Sequence, residues 1–130
     1  MAGTFKFELV TPERIVLSQD ASEVVVPGFE GEFTVLPNHA PVISALRPGV
    51  VSATLGDARK LRVFVKGGFA EVDADRLTVL AERALEVDAM SATDISSELA
   101  TAEAELAATT SDAARLAAAS AVDQLKAFGR

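Results

Sequence analysis

The sequence predicts an α+β protein in which an N-terminal antiparallel β-sandwich of about ten strands precedes a C-terminal antiparallel hairpin of two helices. Residues 5–87 contain short apolar or alternating runs separated by turn-forming residues, with no helical periodicity between them. All five prolines precede position 49 and seven of the eight glycines precede position 69, whereas residues 91–130 contain 13 alanines. This change near Met90 predicts a sandwich domain over 1–90 and a helical hairpin domain over 91–130.

The first predicted strand, Phe5–Val10, alternates apolar and polar side chains, which is typical of a strand with one buried face. Nine further runs follow: Arg14–Ser18, Glu23–Val26, Glu32–Leu36, Val42–Leu46, Val50–Leu55, Leu61–Val65, Phe69–Val72, Leu77–Leu80 and Leu85–Val87. The segments between them are too short for the crossover helices that a parallel sheet requires. The pattern therefore favours an antiparallel sandwich or barrel.

The alanine-rich tail predicts two helices. Ser91 and Asp94 have the spacing of a capping box at a helix start. The apolar stripe of the first helix consists of Ile95, Leu99, Ala102 and Leu106. After a polar break at 109–112, the stripe of the second helix consists of Ala114, Ala118, Val122 and Leu125, and it closes at Phe128-Gly129. Because alanine removes little apolar area from water, we expect a hairpin that is internally helical but loosely docked.

Charge and composition argue against several classes of function. The 19 acidic and 12 basic residues give a net charge of -7, whereas binding to nucleic acid or anionic lipid needs clustered positive charge. With no cysteine and one histidine, the chain cannot form a disulfide or a zinc–thiolate site, and most catalytic triads are out of reach. We therefore expect no enzyme, no cofactor and no metal. No apolar run is long enough for a membrane span, and no targeting segment is evident, so we expect no membrane insertion.

His39, the single histidine, lies in a loop between two prolines. One interpretation makes it a general base assisted by Glu30 or Glu32. The other makes it a loop histidine that bonds the backbone or meets a partner, and this is favoured because no nucleophile or oriented water is evident. Glu30 and Glu32 flank Gly31, and we interpret them as solvated carboxylates rather than metal ligands.

Two stretches resemble signatures of the epsilon subunit of bacterial F-type ATP synthase. The first is VPGFEGEFTVLPNHAP at 26–41, followed by LRPG at 46–49. The second is FVKGGFAEV at 64–72 with LTVLAE at 77–82. The resemblance is close over about residues 3–90 and extends to the tail as architecture, because the family has a ten-stranded sandwich followed by a two-helix hairpin.

The resemblance implies a non-catalytic part of the central rotor stalk that helps to transmit rotation. The expected partners are the gamma subunit, the polar loops of the membrane c ring and, through the hairpin, the catalytic beta subunits, at the cytoplasmic face of the bacterial inner membrane. The loop expected at the ring contains Glu30, Gly31, Glu32, Pro37, Asn38 and His39. Within it, Glu32 and His39 match positions that lie near the ring in relatives. The alternative is a freestanding sandwich that binds a nucleotide or other small ligand and signals through a mobile hairpin.

The tail departs from the regulatory members of that family. Some relatives bind ATP through a leucine–aspartate pair followed by an arginine and an alanine, and they extend a basic helix to inhibit hydrolysis. Here Asp94 stands about where that arginine would be, and no Lys or Arg occurs from 91 to 114. We interpret the tail's acidic residues as its solvent-facing side: Asp94, Glu98, Glu103, Glu105, Asp112 and Asp123. Weak or absent ATP binding and weak inhibition are therefore expected.

Overall fold

The computed structural model describes residues 3–128, which form nine strands followed by two helices. The strands are β1 (Phe5–Val10), β2 (Ile15–Gly28), β3 (Gly31–Val35), β4 (Val42–Leu46), β5 (Gly49–Leu55), β6 (Lys60–Val65), β7 (Gly68–Asp73), β8 (Arg76–Ala81) and β9 (Ala84–Glu86). A short 3-10 turn, Val87–Ala89, leads to α1 (Ala92–Ala108) and α2 (Asp112–Phe128). The predicted class, strands first and a helical pair last, is confirmed.

The structure has nine strands rather than about ten because two predicted runs belong to β2. The runs Arg14–Ser18 and Glu23–Val26 are joined into one strand of 14 residues. Its first half pairs with β1, and its second half pairs with β5 and β3. The register with β5 shifts between Ala21 and Glu23, and such a bulge bends a strand. The polar segment in the sequence is thus a bend within a strand rather than a break.

The strands form one hydrogen-bonded path in the order β1-β8-β7-β4-β2-β5-β6-β9, with β3 attached to β2. The pairing of β1 with β8 is parallel, with Lys6 opposite Arg76, and departs from the antiparallel prediction. Most of the sandwich separates these two strands in sequence, so no tight hairpin forces them to be antiparallel. β3 pairs with β2 alone and is an edge strand.

Buried side chains form two separate apolar clusters. The first is the sandwich core, which lies inside the folded sheet. Its side chains include Phe5, Phe7, Leu9, Val24, Val26, Val51, Leu55, Val72, Leu77 and Val79. The second lies between the sheet and the helices, and its buried members are Phe64, Ala102, Ala121, Val122 and Leu125. The helical hairpin therefore packs on the outside of the sandwich and does not enter its core.

The helix predictions are confirmed in most details. Ser91 and Asp94 form the capping box, with each side chain accepting the other residue's backbone N–H. In α2 the buried stripe includes three predicted members, Ala118, Val122 and Leu125. Ala114, in the first turn, is exposed, and Ala121 joins the stripe instead because 118, 121, 122 and 125 follow helical spacing. Phe128 ends α2 as described, while Gly129 lies outside the described residues.

Candidate functional site

The turn between β2 and β3 presents Phe29 and Glu30 at the surface, where both are exposed. Gly28 and Gly31 face each other at the base of the turn. A Cβ on Gly28 would lie 2.6 Å from the carbonyl oxygen of Gly31, and Gly31 itself has a φ of +139°, so both positions favour glycine. Glu32 follows on β3 and is also exposed. The sequence thus builds a tight turn with two solvent-facing carboxylates.

The connection between β3 and β4 contains Pro37, Asn38 and His39. Asn38 has a φ of 66°, and its backbone N–H donates to the carbonyl oxygen of Ala74 at 3.0 Å. The Nδ1 of the half-buried His39 ring lies 2.7 Å from the carbonyl oxygen of Ala40, which can only accept. This bond sets the Nδ1–H tautomer of the neutral ring and leaves Nε2 as the acceptor. The loop is tied to the β7–β8 hairpin and presents one imidazole nitrogen.

The structure divides the six predicted site residues into two groups. Glu30, Gly31 and Glu32 lie at one end of β3, and Pro37, Asn38 and His39 follow its other end. The four residue steps of β3 separate the groups by about 13 Å. The predicted single loop is therefore two loops joined by an edge strand, and no acid–base pair of His39 with Glu30 or Glu32 is formed. Within residues 3–128, no three His, Asp or Glu side chains are positioned to hold a metal ion.

An exposed apolar face covers the outer side of β4, β7 and β8. Ile43, Phe69 and Leu80 are 71%, 56% and 50% exposed. Phe69 lies opposite Ala45 on β4 and opposite Leu80 on β8, so these side chains are neighbours across three strands. We call Ile43, Ala45, Phe69 and Leu80 the outer apolar face. Exposed apolar patches of this kind mark protein interaction surfaces.

The hairpin docks on the sandwich around Phe64. In β6 three consecutive residues are buried: Val63 and Val65 belong to the sandwich core, whereas Phe64 points outward and is covered by the helices. Its ring meets that of Phe128 edge to face at 5.7 Å. Ser120 on α2 donates to the carbonyl oxygen of Pro48 at 3.0 Å. Phe64 was not predicted as a docking residue. An unbroken apolar run in an otherwise alternating strand does indicate that both faces of the strand are covered.

Two ion pairs connect α1 to the sandwich. Arg83 binds Glu98 through two hydrogen bonds of 3.0 and 2.9 Å, and Lys66 binds Glu105 at 3.2 Å. Hydrogen bonding to Glu98 raises the pKa of Arg83 above its ordinary value. The prediction that the tail's acidic residues all face solvent is wrong for Glu98, which is 9% exposed. Its partner Arg83 lies in the β8–β9 connection, a contact that sequence spacing alone does not indicate.

The start of α1 shows what Asp94 does. Its carboxylate accepts the backbone N–H of Ser91 at 3.0 Å, and its own N–H donates to the Ser91 hydroxyl at 3.1 Å. The backbone hydrogen bond, followed by the one to the Ser91 hydroxyl, lowers the pKa of Asp94. Asp94 is thus an ionised helix cap. Neither α1 nor α2 is long and apolar enough to span a membrane.

Comparison with known proteins gives the family. Residues 4–87 match the family model of the β-sandwich domain of the ATP synthase delta/epsilon chain. The chain is 46% identical over 121 residues to the ATP synthase epsilon chain of Rhodospirillum rubrum, covering 93% of this chain and 90% of that protein. It is 41% identical over 126 residues to the ATP synthase epsilon chain of Parvibaculum lavamentivorans, covering 97% and 96%. Both matches extend into the helical tail.

Solved structures show the same fold. A chain of the Euglena gracilis mitochondrial ATP synthase in an OSCP/F1/c-ring structure aligns with a TM-score of 0.75 at 20% identity, covering 95% of this chain and 80% of that one. A chain of the central stalk/c-ring structure of the Tetrahymena thermophila mitochondrial ATP synthase aligns with a TM-score of 0.67 at 15% identity, covering 99% and 98%. Taken with the sequence matches, these findings show that the chain belongs to the ATP synthase epsilon-chain family.

Proposed function

We propose that this chain is the non-catalytic epsilon subunit of a bacterial proton-translocating ATP synthase, where it helps to couple rotation of the c ring to ATP synthesis. The observation that carries the proposal is family membership at 46% identity over nearly the whole chain. Within that role the sandwich over 1–90 and the hairpin over 91–130 act as two units, supported by a sandwich core to which the helices contribute no side chain. In this proposal the subunit is a peripheral component of the complex at the cytoplasmic face of the inner membrane.

The outer apolar face binds the gamma subunit in this proposal. Ile43, Phe69 and Leu80 together expose apolar area that a partner would remove from water, and a few such anchors carry most of the energy of an interface. The strands beneath them are held by regular pairing, so the face is preformed. A preformed surface lowers the ordering cost of association.

Gamma binding is tested with the double variant Ile43→Ser/Phe69→Ser. We expect its affinity for the gamma subunit to fall about 100-fold, since the two lost anchors contribute about 1.5 kcal/mol each. The matched control is Leu116→Ser, because Leu116 is 63% exposed but lies on α2 and not on this sheet face. Co-purification and titration with gamma give the measurement. Binding of the double variant within twofold of the unchanged chain would contradict the assignment.

The c ring contacts the edge strand β3 and its two ends. Glu30 and Glu32 at one end and Asn38 and His39 at the other can each hydrogen-bond a polar loop. Because the ring repeats the same loop many times, two separated contacts held on one strand resist slipping better than one. The tight turn and the bond from Asn38 to Ala74 support both ends.

Two variants test the ring contact separately. We expect Glu32→Lys and deletion of Asn38-His39 each to reduce the ATP made per proton translocated in assembled complexes, and their combination to reduce it further. Glu86→Lys, an exposed charge reversal on β9, which pairs with β6 and lies away from β3, is the control and should have no effect. If the variant at one end of β3 shows the same proton-pumping efficiency as the control, that end does not contact the ring.

The hairpin binds ATP weakly or not at all and inhibits hydrolysis weakly. The carboxylate of Asp94 lies at the start of α1, where the regulatory relatives carry an arginine, and it is already used as a helix cap. A second negative charge from a phosphate is repelled there. Contact of the hairpin with the beta subunits is correspondingly weak, because no Lys or Arg occurs from 91 to 114 to complement an acidic segment.

A further inference from the structure

We infer that Lys66 and Arg83 of the sandwich and Glu105 and Glu98 of α1 form an electrostatic latch that sets how often the hairpin leaves the sandwich. Glu98 and Glu105 are seven residues apart, so they lie two turns apart on one helix face. Ala102, fully buried, lies between them on that face. The face of α1 that meets the sandwich is therefore flanked by two carboxylates.

The two cations are held beside each other by backbone pairing. The N–H of Lys66 donates to the carbonyl oxygen of Arg83 at 3.1 Å, and the N–H of Glu82 donates to that of Gly67 at 3.1 Å. The β6–β7 and β8–β9 connections are thereby fixed side by side, so both cations point at α1 from one rigid base. The Arg83 guanidinium binds both oxygens of Glu98, a geometry that adds specificity to the charge attraction.

Geometry rather than burial decides which pair contributes more, because the two pairs are about equally exposed. The side chain of Glu98 is 12% exposed and that of Lys66 is 14% exposed, while their partners Arg83 and Glu105 are each 54% exposed. Each pair thus joins one shielded group to one solvated group, so salt screens the attraction in part. The bidentate pair with Arg83 is the stronger of the two.

The apolar part of the interface is modest enough for the latch to matter. Only five of its apolar side chains are buried, Phe64 from the sandwich and four small or medium ones from the helices, and six more are partly buried around them. Alanines bury little area per residue, so apolar docking alone is modest. Two of the tail's acidic residues, Glu98 and Glu105, therefore stabilise the docked position of the hairpin on the sandwich.

The experiment uses the full isolated chain and follows hairpin docking by energy transfer between labels. Because the sequence has no cysteine, Ala74→Cys and Ala104→Cys, two exposed positions on the sandwich and α1, accept labels uniquely. We expect Glu98→Gln/Glu105→Gln to raise the ratio of undocked to docked molecules about tenfold. Glu103→Gln removes one carboxylate charge from an exposed site on α1 and should change the ratio less than twofold.

Two further arms separate a latch from a general loss of structure. Raising salt from 0.1 to 1 M shortens the Debye length from about 10 to about 3 Å, and it should undock the unchanged chain but not alter the double variant. Arg83→Glu should undock the hairpin, and adding Glu98→Arg should dock it again.

The inference is overturned if Glu98→Gln/Glu105→Gln docks like Glu103→Gln or still responds to salt. It is also overturned if Glu98→Gln/Glu105→Gln shows no undocked population even at 1 M salt. These measurements need no ATP synthase partner, so a failure here leaves the proposed rotor role untouched.

Discussion

Replacing Phe64 by alanine should release the hairpin and leave the sandwich folded. Phe64 is fully buried, yet it belongs to the cluster under the helices and not to the sandwich core. Truncating a buried phenylalanine costs about 3–5 kcal/mol, and the edge-to-face contact with Phe128 at 5.7 Å contributes within that range. A loss of about 3 kcal/mol lowers the docked-to-undocked ratio by roughly 100-fold.

Hydrogen exchange followed by mass spectrometry measures this directly. In Phe64→Ala the amides of α1 and α2 should lose protection, while those of β1 and β8 keep it, because the core side chains are unchanged. Phe7→Ala is the matched control, since Phe7 is also fully buried but lies in the sandwich core, and it should expose the strands as well. The reasoning is refuted if both variants lose protection in the same strands, or if the helices of Phe64→Ala stay protected.

Two other predictions concern the β7 start and the tail. Gly68→Ala should destabilise the chain by about 3 kcal/mol or more in urea unfolding, because its Cβ would meet the Leu80 carbonyl oxygen at a φ of +130°. Gly31 has a similar φ but open space around it, so Gly31→Ala should lower the free energy of unfolding by only about 1 kcal/mol. Equal losses in the two variants would contradict the clash at Gly68. Calorimetry of the isolated chain should detect no ATP binding at millimolar nucleotide, since the Asp94 carboxylate is ionised at the helix start; a measurable affinity there would count against the charge argument.

The local patterns in the sequence predict most of the fold because they depend on short-range physical rules. Alternation identified the strands, and the serine–aspartate spacing identified the capping box of α1. The polar segment between the predicted strands Arg14–Ser18 and Glu23–Val26 is a bend inside β2. A bulge lets these polar residues stay within a strand that continues beyond them. The parallel pairing of β1 with β8 was also hidden, since periodicity carries no information about which strands become neighbours.

The candidate site was less predictable than the fold. The family resemblance implied one ring-facing loop over 30–39, although a strand was predicted at Glu32–Leu36; that strand is present as β3, and it separates Glu32 from His39. The outer apolar face could not be located, because an exposed Phe69 and a buried Phe7 have the same alternating sequence context. Which face of a strand is covered depends on the packing of other layers.

By itself, the sequence determined the class of the protein, the change from strands to helices near Met90, and the acidic excess of the tail. These properties follow from composition and spacing, which act locally. Only the tertiary structure revealed that Glu98 pairs with Arg83 and Glu105 with Lys66, and that Phe64 anchors the helices. Those contacts join residues far apart in the chain, and their energies depend on burial and geometry that exist only once the sandwich and the hairpin have packed together.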